Sequence, residues 1–295
     1  MKRFAAPGPR PADTAVWQRR RHAAGRWGWA GLVVGGLAGT IAFAPAAWLA
    51  GALAAATAQR LLLADARGTV WAGSAVPVLT GGEGSRDAAA LPGRLSWTLA
   101  WQDGALQFQA LQTCCLNGAL TLRLRPAIDR LRIDWVPPLA KASSAANPAA
   151  GGSVIGQWPA GWLVGLGTPW NTLQPGGLLS LASPGLALES VQGRWRLIGQ
   201  LDLELRGTSS RVSTLPVLGS YRFSVAGQGA AGESASLNLS TLDGPLQLSG
   251  SGQWTVGGLR FAGEARAAQG AGPALDNLLN IIGRRQGARA VISIG

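Results

Sequence analysis

The chain has 295 residues with 26 Lys or Arg, 14 Asp or Glu, 43 Gly, 17 Pro and 13 Trp. Charged residues are only 14%, against about 25% in an average soluble domain, and so much Gly and Pro argues against long helices dominating. The one histidine, His22, lies in a basic N-terminal stretch. Ser-His-Asp hydrolysis, His-ligated zinc and Cys-His nucleophile pairs therefore have no histidine to use beyond it, and the composition points away from an enzyme and from any metal or cofactor.

Residues 1–26 carry Lys2, Arg3, Arg10, Arg19, Arg20, Arg21 and Arg26 against Asp13, and read as a basic cytoplasmic tail. That tail holds half of the formal net charge of +12. The remainder is only mildly basic, without a basic stripe bearing stacking aromatics, which argues against nucleic acid as a partner. From Trp27 to Gln59 no residue is charged. Trp27 and Trp29 at one end and Trp48 further on suit two aromatic belts, so residues 27–49 are expected to form a transmembrane helix. Pro45 should kink its exit, and residues 50–64 leave the membrane. Seven Lys/Arg precede the span, with Arg60 and Arg67 just after it, which places the N-terminus in the cytoplasm and the bulk of the chain across the membrane. The rival is a cleaved signal peptide ending in small-residue text such as ALAAATA. Its apolar core would be about twice the usual length, which favours an uncleaved anchor.

After residue 60 the pattern alternates. Leu95, Trp97, Leu99 and Trp101 share one strand face. Leu120, Leu122 and Leu124 repeat the pattern, as do Leu131, Ile133 and Trp135. In residues 194–206, Trp195, Leu197, Leu201, Leu203 and Leu205 face one way, and Arg194, Arg196, Gln200, Asp202, Glu204 and Arg206 the other. A period of 2 with one apolar face predicts antiparallel strands wetted on one side; Trp195 is expected inside with Leu201, Leu203 and Leu205. Asp103-Gly104, Asn117-Gly118, Asp243-Gly244 and Gly257-Gly258 supply turns. Residues 139–155, which contain KASSAANPAAGGS, are predicted either to link a first β region (65–138) to a second (156–295) or to form a long loop within one sheet. Gly81 to Ala90 reads as a further loop. One short helix is expected near Pro273 to Arg285, with Leu275, Leu278, Leu279 and Ile282 along one side. The fold class is mainly β: a single N-terminal transmembrane helix, then an antiparallel sheet domain, a sandwich or a curved open sheet, with one short C-terminal helix.

Few residues suggest chemistry. Cys114 and Cys115 are adjacent and admit three readings: two small strand residues, a vicinal disulfide, or a bond to another chain. Asp202 and Glu204 share a face but are flanked by Arg196 and Arg206, as on a solvated mixed-charge surface. Trp158, Trp162 and Trp170 crowd a Gly/Pro-rich stretch, and read as a packed loop or an apolar partner surface.

Several segments in order carry a family resemblance: ARGTVWAGSA (66–75), LPGRLSWTL (91–99), GLGTPWNTLQPGG (165–177), LPVLGSYRF (215–223), TLDGPLQLSGSGQW (241–254) and LLNIIGRR (278–285). Together they resemble protein N of the bacterial type II secretion system. The resemblance implies a single-pass inner-membrane accessory with a periplasmic β domain, acting through contacts with other secretion proteins in the export of folded proteins. It implies no catalytic residue and no small-molecule substrate. The architecture is also similar to periplasmic proteins whose curved sheets offer an apolar groove to membrane lipid, and that reading stands as the alternative.

Overall fold

A computed structural model describes residues 28–137, 152–228, 235–255 and 258–295. The basic tail, Trp27, most of the 139–155 linker and the first glycine of the Gly257-Gly258 turn lie outside them. The chain divides into two compact units, residues 1–44 and 45–295.

In the first unit residues 28–42 form helix α1. Its end is closed by Phe43 N–H donating to Gly39 O at 3.0 Å and Ala44 N–H to Ile41 O at 3.3 Å. The second unit opens with Pro45 as N-cap (φ −67°, ψ 146°) of helix α2, Ala46–Ala56. A proline has no N–H to donate and disfavours helical backbone in the residue before it. The continuous helix expected over 27–49 is therefore two helices, and among the described residues no helix is long and apolar enough to cross a membrane.

Among the described residues, most of the rest of the second unit is one antiparallel sheet of 16 strands. They are β1 (Leu61–Gly68), β2 (Ala72–Thr80), β3 (Ala88–Ala90), β4 (Leu95–Gln102), β5 (Ala105–Leu111), β6 (Leu120–Ala127), β7 (Arg130–Val136), β8 (Ser153–Pro159), β9 (Gly176–Val191), β10 (Arg194–Ser209), β11 (Gly219–Gln228), β12 (Ala235–Asp243), β13 (Leu246–Thr255), β14 (Gly258–Ala267), β15 (Arg284–Gln286) and β16 (Arg289–Ile294). Their order is β1-β2-β4-β5-β6-β7-β9-β10-β11-β12-β13-β14-β16-β15, with β3 on β2 and β8 on β9. Because β7 pairs with β9, the two predicted β regions belong to one sheet, and residues 153–155 of the expected linker begin β8. Likewise Ala88–Ala90, read as loop, is strand β3 against Val78–Thr80. A 3-10 helix (Ala160–Leu166) and α3 (Trp170–Leu173) lie between β8 and β9. The predicted C-terminal helix is α4, Gly272–Ile282, with Leu275, Leu278 and Leu279 buried.

The sheet is open rather than one half of a sandwich. Cross-strand partners show one apolar face running the whole way, since directly paired residues point to the same side. Leu63 pairs with Pro77, Trp97 with Ala110, Phe108 with Leu122, and Leu124 with Ile133. Ile133 then pairs with Leu188, Leu188 with Leu197, and Leu203 with Phe223. Phe223 pairs with Leu239, and Phe261 with Ile294.

Two helices cover parts of this face. Ala46 and Leu49 of α2 pack with Ala75, Trp97 and Phe108. Leu275, Leu278 and Leu279 of α4 pack with Leu218, Tyr221, Leu246, Ala265 and Ala290. Elsewhere the face stays half-exposed, and Trp195, expected inside, is 56% exposed. It sits near the β9–β10 turn, beyond the reach of either covering helix, opposite Ser190.

Candidate functional site: an apolar groove and its strap

On β10 the alternation is present and the burial is reversed from expectation. Leu201, Leu203 and Leu205 are half-buried, whereas Asp202 and Glu204 are 3% and 2% exposed. The polar face is built of interlocked side chains. Glu204 accepts from Arg206 at 2.6 Å and from Arg222 at 2.7 Å. Asp202 accepts from Ser224 Oγ at 2.6 Å and from Gln200 Nε2 at 2.9 Å. Glu189 accepts from Arg196 at 2.9 Å and Arg130 at 3.3 Å. Long arginine stems lie over the carboxylates and exclude water, so the expected solvated surface is a paired, covered one. Burial alone raises the Glu204 pKa, but the hydrogen bonds and charges of Arg206 and Arg222 outweigh it and hold the carboxyl below its ordinary range.

The opposite face curls. Leu179 on β9 and Ile292 on β16 line one groove, although five strands lie between theirs in the sheet. The groove holds about 440 Å³, within the range of about 300–1,000 Å³ typical of ligand sites. Leu203, Leu205, Phe223, Leu239, Leu248 and Phe261 form its wall, Leu278 and Ile282 of α4 close one side, and no charged side chain lines it. Phe261 lies over glycine: a Cβ on Gly250 would meet its Cζ at 2.5 Å, and one on Gly263 its Cε1 at 3.0 Å. The wall therefore needs glycine where the ring rests.

Tyr221 puts its hydroxyl 3.0 Å from Leu246 O and 3.2 Å from Leu218 O. Burial, with the charge of Asp243 adding, pushes its pKa well above the ordinary phenol value, so it stays a neutral donor. Thr208 is among the residues that line the same groove. Thr208 Oγ1 and Trp135 Nε1 are the two buried side-chain polar atoms left without a partner among the described residues.

The three tryptophans are spread along the segment that straps this groove to the first strands. Trp158, half-buried on β8, lies over Gly156, where a Cβ would meet Trp158 Cη2 at 2.7 Å. Trp162, in the 3-10 helix, donates Nε1–H to Ala89 O at 2.9 Å. Trp170 opens α3 and lines the groove with Leu173. Asn171 of α3 donates Nδ2–H to Asp87 Oδ2 at 3.1 Å.

Cys114 and Cys115 lie in the turn between β5 and β6, not in a strand, and are joined as a vicinal disulfide. Gln157 N–H donates to Cys115 O at 2.7 Å and Asn117 N–H to Ile155 O at 3.0 Å, fastening this turn to β8. Among the described residues no group of three or more His, Cys, Asp or Glu is placed to hold a metal ion.

A family model described as type II secretion system (T2SS), protein N, matches residues 59–292, from just before β1 into β16. No curated protein and no solved structure gives a match.

Proposed function

Since the chain belongs to the type II secretion system protein N family, and so takes part in type II secretion, we propose that it serves there as a non-enzymatic accessory, held at the inner membrane and acting through contacts with other secretion proteins. The observation that carries this reading is the junction of α2 and β1. Helix α2 reads AAWLAGALAAA, apolar on every side, and buries only Ala46 in the fold. A helix apolar all round belongs in an apolar medium. Beside it, β1 is an eight-residue strand at one end of the sheet, its outer edge unpaired by any strand among the described residues. An unpaired edge offers main-chain donors and acceptors for strand addition. Partners confined to one bilayer reach high effective concentration, so a short augmented strand suffices.

In-cell photo-crosslinking from Leu62 and Ala64 tests the contact. Adducts with other components of the secretion apparatus are expected, and silence at both positions in an actively secreting cell overturns the reading. Reporter fusions at residues 20 and 290 test the orientation, with cytoplasmic and periplasmic behaviour expected respectively.

A further inference from the structure

We infer that the apolar face of the sheet is a binding site for the acyl chains of bilayer phospholipid, seated in the groove between β9 and β16. Four observations select this occupant. The groove is lined by aliphatic and aromatic side chains with no charge among them, whereas the carboxylates of Asp134, Glu189, Glu204 and Glu264 are ion-paired with arginines on the opposite face. That partition accepts an uncharged apolar ligand and offers an ionic peptide nothing to pair with.

The groove wall also consists of interior strands paired on both sides. An extended peptide laid across it would find no free main-chain partners, while a hydrocarbon chain needs none. Next, the hydroxyls of Tyr221 and Ser210 are taken up by backbone carbonyls. Tyr221 is committed to Leu218 O and Leu246 O, and Ser210 Oγ–H to Leu173 O at 2.5 Å. Thr208 Oγ1 is itself buried, without a partner among the described residues, so the groove presents few polar atoms to its occupant, as a hydrocarbon chain requires.

Last, the source is at hand. The same apolar face continues strand by strand from the groove to β1. There the apolar helix α2 packs on it through Ala46 and Leu49 and leaves Trp48 55% exposed. A lipid leaving a bilayer that holds α2 would meet apolar surface all along the way. This inference rests on the membrane location proposed above but not on the protein contacts, and it uses a different surface, so the lipid site and the protein contact can fail separately.

The test uses strand alternation as its own control. The full chain is reconstituted in vesicles of phosphatidylethanolamine and phosphatidylglycerol, with a photoreactive benzoylphenylalanine at Leu239 or Leu248, which face the groove, or at Asn238 or Ser249, one residue away on the opposite face. Asn238 and Ser249 are exposed, so the probe is tolerated there. After irradiation, mass spectrometry should find intact phospholipid on Leu239 and Leu248 at least tenfold above Asn238 and Ser249. Equal yields on the two faces overturn the inference. So does the absence of lipid at the groove positions, or adducts there made of protein or free fatty acid instead.

Discussion

Glu204 shows how a residue's environment can invert its expected role. Its carboxylate is buried, yet two arginines keep it ionised below the ordinary range. Its pKa is therefore lower in the folded chain than in the unfolded one. Its contribution to stability is full above the unfolded carboxylate pKa and is lost as pH falls through the folded one. Denaturation midpoints measured across acidic pH should fall more steeply for the native protein than for Glu204→Gln. At neutral pH that substitution removes charge-assisted hydrogen bonds and should cost about 1.5–3 kcal/mol. Trp195 and Leu278 form a second contrast. Trp195 is 56% exposed and Leu278 1%. Leu278→Ala should cost about 2–5 kcal/mol, and Trp195→Ala within about 0.5 kcal/mol of zero, as for other surface sites; a single denaturant titration of each variant decides it.

Among the elements, the strap from β8 to α3 sets the spacing between the first strands and the groove. Gly165 allows it to lie against β2 and β3, because a Cβ there would collide with Leu79 O and Ala89 N. Gly165→Val should lift the 3-10 helix and break the Trp162–Ala89 hydrogen bond. Faster amide exchange over Ala88–Ala90, with the β12–β14 ladder unchanged, is the expected readout, since local openings follow local contacts. Pro45 acts at the same scale. It splits an uncharged run that periodicity alone reads as one helix, and directs α2 onto the sheet through Ala46 and Leu49.

At the scale of the molecule, the 16 strands among the described residues make an open sheet whose apolar face stays half-exposed. Contiguous apolar patches of this kind mark binding or membrane contact. The fragment from residue 60 onward should give a strand-dominated far-ultraviolet circular dichroism spectrum with a small helical part from α3 and α4, and a helix-dominated spectrum would contradict the fold. The Asp103-Gly104 turn, with φ of 50° and 73°, illustrates the local chemistry that makes such a meander, both residues tolerating the left-handed region that a tight hairpin demands.

The sequence by itself determined that the chain is mainly β, where many of its turns fall, that α4 buries Leu275, Leu278 and Leu279, and which family it joins. These follow from local rules: period-2 alternation, Gly and Asn at turns, and an apolar stripe at helical spacing. The tertiary structure decided which side of each strand is covered. Alternation on β10 separates Leu203 from Asp202 but cannot say that arginines from β10 and β11 will bury the acidic side while the leucines line a groove. It cannot say that β7 meets β9 across the linker, or that Cys114 and Cys115 fall in a turn. Those outcomes depend on pairings between residues far apart in sequence, and on a curl that brings β9 and β16 to one cavity, a property of the whole sheet that no single strand carries.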